Sequence, residues 1–261
     1  MGVLNITPDS FSDGGLFFEA QSAIDQAVLM VEQGADIIDI GGESTRPGAP
    51  EVSAEDELKR VLPVIEALSG NIDIPISIDT SKPVVMERAF DAGASIINDV
   101  YALRSEGALE MAASLGADVC LMHMQGNPRT MQKNPKYDDV VSDVKNFFIE
   151  RLEACSGVGI KLESITLDPG FGFGKNLAHN IALLKNLAEF HDFGVSILAG
   201  LSRKSMIGSL LGDKEVDSRM IGSVTAALIA VENGANIIRA HDVAETKDAL
   251  TVWQQIKHFR E

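Results

Sequence analysis

The 261-residue sequence has little of several features that mark particular protein classes. Its two cysteines, Cys120 and Cys155, match no metal-binding or redox spacing. Basic residues number 22 against 38 acidic ones, and the net charge of -16 argues against nucleic acid and anionic membranes as partners. No apolar run approaches membrane-spanning length, and no basic segment followed by an apolar one is seen near Met1. We therefore expect a cytoplasmic protein in which local cations hold any anionic substrate.

One short pattern recurs at irregular intervals along the chain. In each copy a glycine ends a helical stretch and a β-branched run follows, which is the joint between a helix and the next strand of alternating β/α units. The copies are residues 34–39, 93–98, 116–121 and 234–239. Alternating units of this kind predict a parallel sheet.

The pattern predicts eight strands separated by helices, which indicates an α/β fold, a (β/α)8 TIM barrel, as a single domain over residues 1–261. The predicted strands are 2–5, 36–40, 74–79, 95–98, 118–122, 164–168, 195–199 and 236–239. The predicted helices are 19–33, 54–69, 82–92, 105–115, 138–155, 177–190, 216–232 and 244–259. Ser53 and Ser81 are predicted helix N-caps.

Polar residues stand at the ends of most predicted strands, and three of the following loops, 6–18, 41–52 and 123–137, are long. In a barrel these ends share one face, where active sites are built. The polar residues in question are Asn5, Thr45, Arg46, Asp79, Asn98, Asp168, Ser202, Arg203, Lys204, Arg239 and His241.

These residue types suit a flat nitrogen heterocycle that carries an anionic group. Asp79, Asn98 and Asp168 can accept hydrogen bonds from ring N–H and amino groups. Lys204 can donate to a ring carbonyl or nitrogen. Arg46, Arg239 and His241 are donors for a phosphate-like group. Plainer roles stay open: Asp79 as a helix cap, Asn98 as a partner of buried backbone, and Arg46 and Arg203 as surface charges.

Eight segments together resemble the bacterial dihydropteroate synthases, a family of pterin-binding TIM barrels, over essentially the whole chain. The segments are MGVLNITPDSFSDGG (1–15), GGESTRPGA (41–49), SIDTSKP (77–83), IIND (96–99), CLMHMQGNP (120–128), LDPGFGFGKN (167–176), GLSRKSMIG (200–208) and IIRAHDV (237–243). The resemblance implies a transferase of folate biosynthesis. Such enzymes join 6-hydroxymethyl-7,8-dihydropterin diphosphate to 4-aminobenzoate, release pyrophosphate, use Mg²⁺ and are sulfonamide targets. A homodimer is also expected by resemblance.

The resemblance further implies roles for individual residues. The pterin-binding set is Asp79, Asn98, Asp168, Lys204 and Arg239. The diphosphate-binding set is Asn5, Thr45, Arg46, Arg239 and His241. The set around 4-aminobenzoate is Phe11, Thr45, Pro47, Phe173, Ser202 and Lys204. Asp13 belongs to the catalytic loop and Asn5 contacts the Mg²⁺.

Two other functions would use a similar barrel. A barrel that presents methyltetrahydrofolate to a corrinoid protein needs ring-binding carboxylates but no diphosphate cations. A non-catalytic binding protein needs neither. Family members usually carry a strand or hairpin ahead of the first barrel strand, so we expect that the native chain begins upstream of Met1 or that this form is less stable.

Overall fold

The computed structural model describes residues 1–6, 15–45 and 48–259, and these form a closed parallel barrel. Its eight strands follow one another around the barrel in sequence order. They are β1 Gly2–Asn5, β2 Ile38–Gly41, β3 Ile76–Asp79, β4 Ile96–Asp99, β5 Asp118–Met122, β6 Ile165–Asp168, β7 Ser196–Ala199 and β8 Ile237–Ile238. The predicted (β/α)8 barrel is confirmed, with strand ends that differ by up to two residues from the predicted ones.

Hydrogen bonds between the first and last strands close the barrel. Gly2 pairs in parallel with Ala240, the Val3 N–H donates to the Ala240 carbonyl at 3.0 Å, and the Ala240 N–H donates to the Met1 carbonyl at 3.0 Å. Elsewhere the register aligns the carboxyl ends of neighbouring strands, for example Asp79 beside Asn98. Polar residues at these ends are therefore neighbours on one rim.

Helices surround the barrel, and nine α-helices lie within the described residues. They are α1 Gly15–Glu32, α2 Ala54–Leu68, α3 Pro83–Asp91, α4 Ala108–Leu115, α5 Val140–Gly157, α6 Leu177–Lys185, α7 Ser205–Leu210, α8 Met220–Glu232 and α9 Val243–Lys257. The prediction missed α7, because six residues are too few to show a helical period. The predicted helix 177–190 is in fact α6 followed by a separate 3-10 helix, Leu187–Phe193.

The two predicted N-caps had different outcomes. Ser53 caps α2, since its side chain accepts the Asp56 N–H at 3.1 Å. Ser81 was the wrong choice for α3: the N-cap position belongs to Lys82, which makes no side-chain cap. Pro83 lies in the first turn of α3, where its fixed φ already suits a helix, so the helix starts there without a side-chain cap.

The main core lies between the barrel and the helices and inside the barrel. Its largest fully buried side chains include Phe148 and Phe190, whose rings meet edge to face with centroids 5.8 Å apart. A second cluster of Val100, Met122, Met124 and Met131 lies apart from it and contacts Phe173. Among the described residues no helix is both long enough and apolar enough to cross a membrane.

Candidate active site

A buried network of charged residues joins strands on opposite sides of the barrel. Arg239, directly after β8, donates through Nε to Asp39 Oδ2 at 2.6 Å and through Nη2 to Asp79 Oδ2 at 2.8 Å. Asn98 Nδ2 donates to Asp39 Oδ2 at 3.0 Å. The Ser77 hydroxyl donates to Asp39 Oδ1 at 2.6 Å. Three of the predicted pterin-binding residues are thus brought together around a fourth side chain, Asp39.

Asp39 was not among the predicted site residues, although it is 0% exposed and accepts three of the hydrogen bonds in this network. It lies in the middle of β2, within the apolar run Ile37 to Ile40, so it does not mark a strand end. The available signal was the carboxylate itself, because an ionisable residue inside a fully buried strand requires a partner.

The network perturbs the acids and bases that form it. Burial raises the pKa of Asp79 to about 7, against the opposing influence of Arg239 and with a further increase from Asp39. Burial alone would lower the pKa of Arg239, but Asp39 and Asp79 more than compensate and raise it. A carboxyl that titrates near neutrality in a cleft is typical of a functional site.

Asp168 ends β6 on the same rim and is also buried. One carboxylate oxygen, Oδ1, accepts the Gly170 N–H at 2.7 Å. Burial raises the pKa of Asp168, and the Lys204 ammonium opposes that shift. The first turn of the following loop therefore fixes the orientation of this carboxylate before any ligand arrives.

Lys204 faces the loop after β6. Its Nζ donates to the Phe171 carbonyl and lies 4.6 Å from the centroid of the Phe173 ring, in a cation–π contact. Burial lowers the pKa of Lys204 to about 8, although Asp168 opposes the shift. Two predicted neighbours of 4-aminobenzoate, Phe173 and Lys204, are thus in contact.

The loops after β7 and β8 are tied together by two pairs. The Ser202 hydroxyl accepts the His241 N–H at 3.1 Å and lies 3.0 Å from His241 Nδ1. Arg203, with φ 58°, bridges to both oxygens of Asp242 at 3.1 and 2.5 Å. Ser202 is therefore in direct contact with a predicted diphosphate ligand, and Arg203 is a bridge between loops rather than a lone surface charge.

Near its start, the loop after β2 carries Glu43, which forms a cluster with Glu57 and Lys82. Lys82 Nζ contacts the carboxylates of Glu43 and fully buried Glu57. The Val52 N–H donates to Glu43 Oε1 at 3.1 Å, which joins the two ends of the loop. Thr45 and Asp79 both line a cavity of about 330 Å³ beside this cluster. Phe11, Asp13, Arg46 and Pro47 lie outside the described residues.

Asn5, the predicted magnesium ligand, ends β1 in register with Gly41, whose neighbour on β3 is Asp79. Within the described residues there is no group of three or more His, Cys, Asp or Glu side chains that would hold a metal ion. Mg²⁺ often binds through one or two protein oxygens together with waters and substrate phosphates. Among the described residues, the Asn5 side chain suits an ion that arrives together with a diphosphate.

Comparison with known proteins agrees with this geometry. The family described as "Pterin binding enzyme" matches residues 1–241. The dihydropteroate synthase of Escherichia coli strain K12 is 57% identical over 97% of this chain and 89% of its own length. The crystal structure of Xanthomonas albilineans dihydropteroate synthase with 4-aminobenzoic acid is 50% identical with a TM-score of 0.94, covering 100% of this chain and 93% of that one.

A further solved structure, the Yersinia pestis dihydropteroate synthase with a sulfonamide drug, is 52% identical with a TM-score of 0.94 and covers 99% of this chain and 94% of that one. These relatives favour the synthase over the methyltetrahydrofolate-binding alternative. The chain belongs to the pterin-binding enzyme family, and within it to the dihydropteroate synthases.

Proposed function

We propose that this chain condenses 6-hydroxymethyl-7,8-dihydropterin diphosphate with 4-aminobenzoate, giving 7,8-dihydropteroate and pyrophosphate. The observation that carries the proposal is the convergence of Asp79, Asn98, Asp168, Lys204 and Arg239 on one rim of the barrel. The family membership supports the same reaction, and a solved relative binds 7,8-dihydropteroate.

The pterin ring would sit among the buried acids. Asp168 has one oxygen held by the Gly170 N–H, which leaves the other to accept from the ring. Asp79 and Asn98 present further polar atoms in neighbouring register. Lys204 supplies a hydrogen-bond donor. The second cluster, which contains Met122, supplies an apolar surface next to Phe173.

The diphosphate would lie towards the loops that follow β1, β2 and β8. Asn5, Thr45, Arg46, Arg239 and His241 are the proposed contacts. When bound, Mg²⁺ would neutralise diphosphate charge, and Asn5 is the residue proposed to hold it. Arg239 would then exchange its hydrogen bond to Asp79 for a bond to the substrate.

The chemistry requires no protein nucleophile. The neutral aromatic amine of 4-aminobenzoate attacks the pterin methylene carbon, the bond from that carbon to the diphosphate oxygen breaks, and the amine releases one proton. The cations near the leaving group stabilise its developing negative charge. We favour a dissociative displacement, because the electron-rich ring held by Asp168 stabilises positive charge at the methylene.

Pyrophosphate release tests the function directly. We expect release from 6-hydroxymethyl-7,8-dihydropterin diphosphate that depends on added 4-aminobenzoate and is inhibited by a sulfonamide. A methyltetrahydrofolate-binding barrel or a non-catalytic protein would release none. Pterin binding without any pyrophosphate release under these conditions would therefore contradict the proposed reaction.

Pterin affinity should depend on pH in a bell shape. Asp79, with a pKa raised to about 7, loses its acceptor as the pH falls, and Lys204, with a pKa lowered to about 8, loses its ammonium as the pH rises. Affinity measured by calorimetry should therefore be highest between those two values. Asp79→Asn should remove the acidic limb, and Lys204→Arg should move the alkaline limb upward. Any ionisation of the pterin itself appears in all three proteins, so identical profiles would refute the assignment.

We also propose a homodimer that uses the later helices. Large apolar side chains are exposed on these helices, including Leu210 at 55%, Ile221 at 75% and Ile256 at 74%. Leu210 ends α7, Ile221 lies in the first turn of α8, and Ile256 lies in the last turn of α9. Exposed apolar side chains on helices that pack against one another support an association surface.

A further inference from the structure

Lys175 is a buried lysine with no part in the chemistry proposed above. It is 3% exposed and ends the glycine-rich loop that follows β6. Its Nζ lies 2.9 Å from His123 Nδ1, and 3.0 Å from each of the Gly170 and Phe173 carbonyl oxygens. The His123 carbonyl is a fourth neighbour at 3.3 Å. A lysine is seldom buried without a carboxylate partner, so this cage of neutral acceptors needs a reason.

Three of the four atoms around Lys175 Nζ are carbonyl oxygens, which only accept, and the fourth is His123 Nδ1, whose role depends on the ring tautomer. Burial lowers the pKa of Lys175 well below its usual value, and the nearby Asp168 carboxylate opposes that shift. Burial and the nearby Lys175 lower the pKa of His123 to about 2, so its ring is neutral. Because Nδ1 faces the lysine, the ring proton is assigned to Nε2. An ammonium carries three N–H donors and can satisfy three of these acceptors, whereas a neutral amine would satisfy two.

The cage joins two loops of the active-site rim. His123 directly follows β5, whereas Gly170 and Phe173 belong to the loop after β6. These loops are also in close contact: a Cβ added to Gly170, at φ +71°, would lie 1.9 Å from the His123 carbonyl oxygen. The Lys175 amino group therefore sits where two carbonyl-lined turns meet, and its N–H donors hold the carbonyls of both.

The residues that Lys175 holds are those that orient the proposed pterin ligands. Gly170, whose carbonyl accepts from Lys175, donates its own N–H to Asp168 Oδ1 at 2.7 Å. Phe173, whose carbonyl also accepts from Lys175, carries the ring beside Lys204. The Lys175 side chain thus fixes the backbone of the two residues that contact Asp168 and Lys204.

We propose that Lys175 is a positioning residue for pterin recognition, which acts by fixing the turn that orients the Asp168 carboxylate. It contacts no substrate. It holds Gly170, whose N–H donates to the Asp168 carboxylate, and Phe173, whose ring lies beside Lys204. This inference rests on the proposed function, since it assigns Asp168 to the pterin.

The test compares two ligands on the whole chain, 6-hydroxymethylpterin and pyrophosphate with Mg²⁺, by calorimetry. Lys175→Met keeps the length of the side chain and removes its donors. We expect it to weaken pterin binding by roughly tenfold or more, as expected when a preorganised acceptor is released. Pyrophosphate affinity should change less than about twofold, because the residues proposed to contact the diphosphate lie on other loops. Lys185→Met, at the exposed end of α6, is the matched control and should change neither affinity.

A second variant keeps the test decisive if Lys175→Met does not fold. His123→Phe removes one acceptor of the cage and retains a ring against Phe147, whose centroid lies 4.9 Å away. It should weaken pterin binding by about threefold or more, again with pyrophosphate affinity preserved. Unchanged pterin affinity in these variants, or equal loss for both ligands, would overturn the inference. If the unaltered chain and Asp168→Asn bind the pterin equally, the proposed function fails instead.

Discussion

Asp168→Asn should weaken pterin binding by about 10- to 100-fold and leave the barrel folded. The Gly170 N–H holds Oδ1 at 2.7 Å, and the amide of the variant would keep that bond by placing its own oxygen there. Its Nδ2 would then face the ligand, so a donor would meet the N–H donors of the ring. A buried mismatch of this kind costs about 1–3 kcal/mol. Calorimetric titration with 6-hydroxymethylpterin measures the loss.

Asp99 provides a matched control for Asp168→Asn. It is another buried aspartate at a strand end, on β4, two strands away from β6. Its two oxygens accept the N–H groups of Tyr101 at 2.8 Å and Leu103 at 2.7 Å. Because backbone groups occupy both oxygens, Asp99→Asn should lower the melting temperature and leave pterin affinity nearly unchanged. Wild-type pterin affinity in the Asp168 variant would exclude Asp168 as a ring ligand.

Sequence periodicity predicted the barrel well because each β/α unit is marked by residues that are close together in sequence. A glycine that ends a helix and a β-branched run that enters a strand are signals within six residues, and the structure has strands close to each of them. Elements that lack a periodic signal were missed or misjudged. Helix α7 is too short to show one, and α3 begins at Pro83 without the side-chain cap predicted for Ser81.

The positions of the candidate site residues were predictable, but their partners were not. Asp79, Asn98 and Asp168 stand at strand ends, and a parallel barrel brings such ends to one rim whatever the side chains do. Which groups pair depends on contacts across the barrel, between residues far apart in sequence. Arg239 and Asp39 are separated by 200 positions, and Lys175 and His123 by 52. No local pattern encodes such pairs: the carboxylate within β2 indicated that Asp39 has a partner but not which one, and nothing local linked Lys175 to His123.

Asp39→Asn should lower the free energy of unfolding by about 3–5 kcal/mol, the cost of removing one partner from a buried ion pair. Asp39 is 0% exposed, and its carboxylate accepts from Ser77, Asn98 and Arg239. An asparagine has one acceptor oxygen in place of two, so at least one of these donors would lose its bond. Arg239 would keep its hydrogen bond to Asp79 and lose the one to Asp39.

Asp36→Asn is the matched control for Asp39→Asn. Asp36 lies three residues earlier, is exposed, and pairs with Lys247 at 3.0 Å. Exposed pairs of this kind contribute about 0–1 kcal/mol, so urea unfolding should show little change. A comparable decrease in the free energy of unfolding in both variants would show that burial of the Asp39 carboxylate does not cause the loss of stability.

The coupling between Asp39 and Arg239 separates a paired charge from two independent contributions. Arg239→Met alone leaves Asp39 and Asp79 close together without their shared cation, so it should also destabilise the protein strongly. In the double variant Asp39→Asn/Arg239→Met, neither an unpaired arginine nor an unpaired Asp39 carboxylate remains. Its loss should therefore be smaller than the sum of the single losses by about 1–3 kcal/mol. Additive losses in urea unfolding would mean that Asp39 does not hold Arg239, and that the pterin site is organised without this carboxylate.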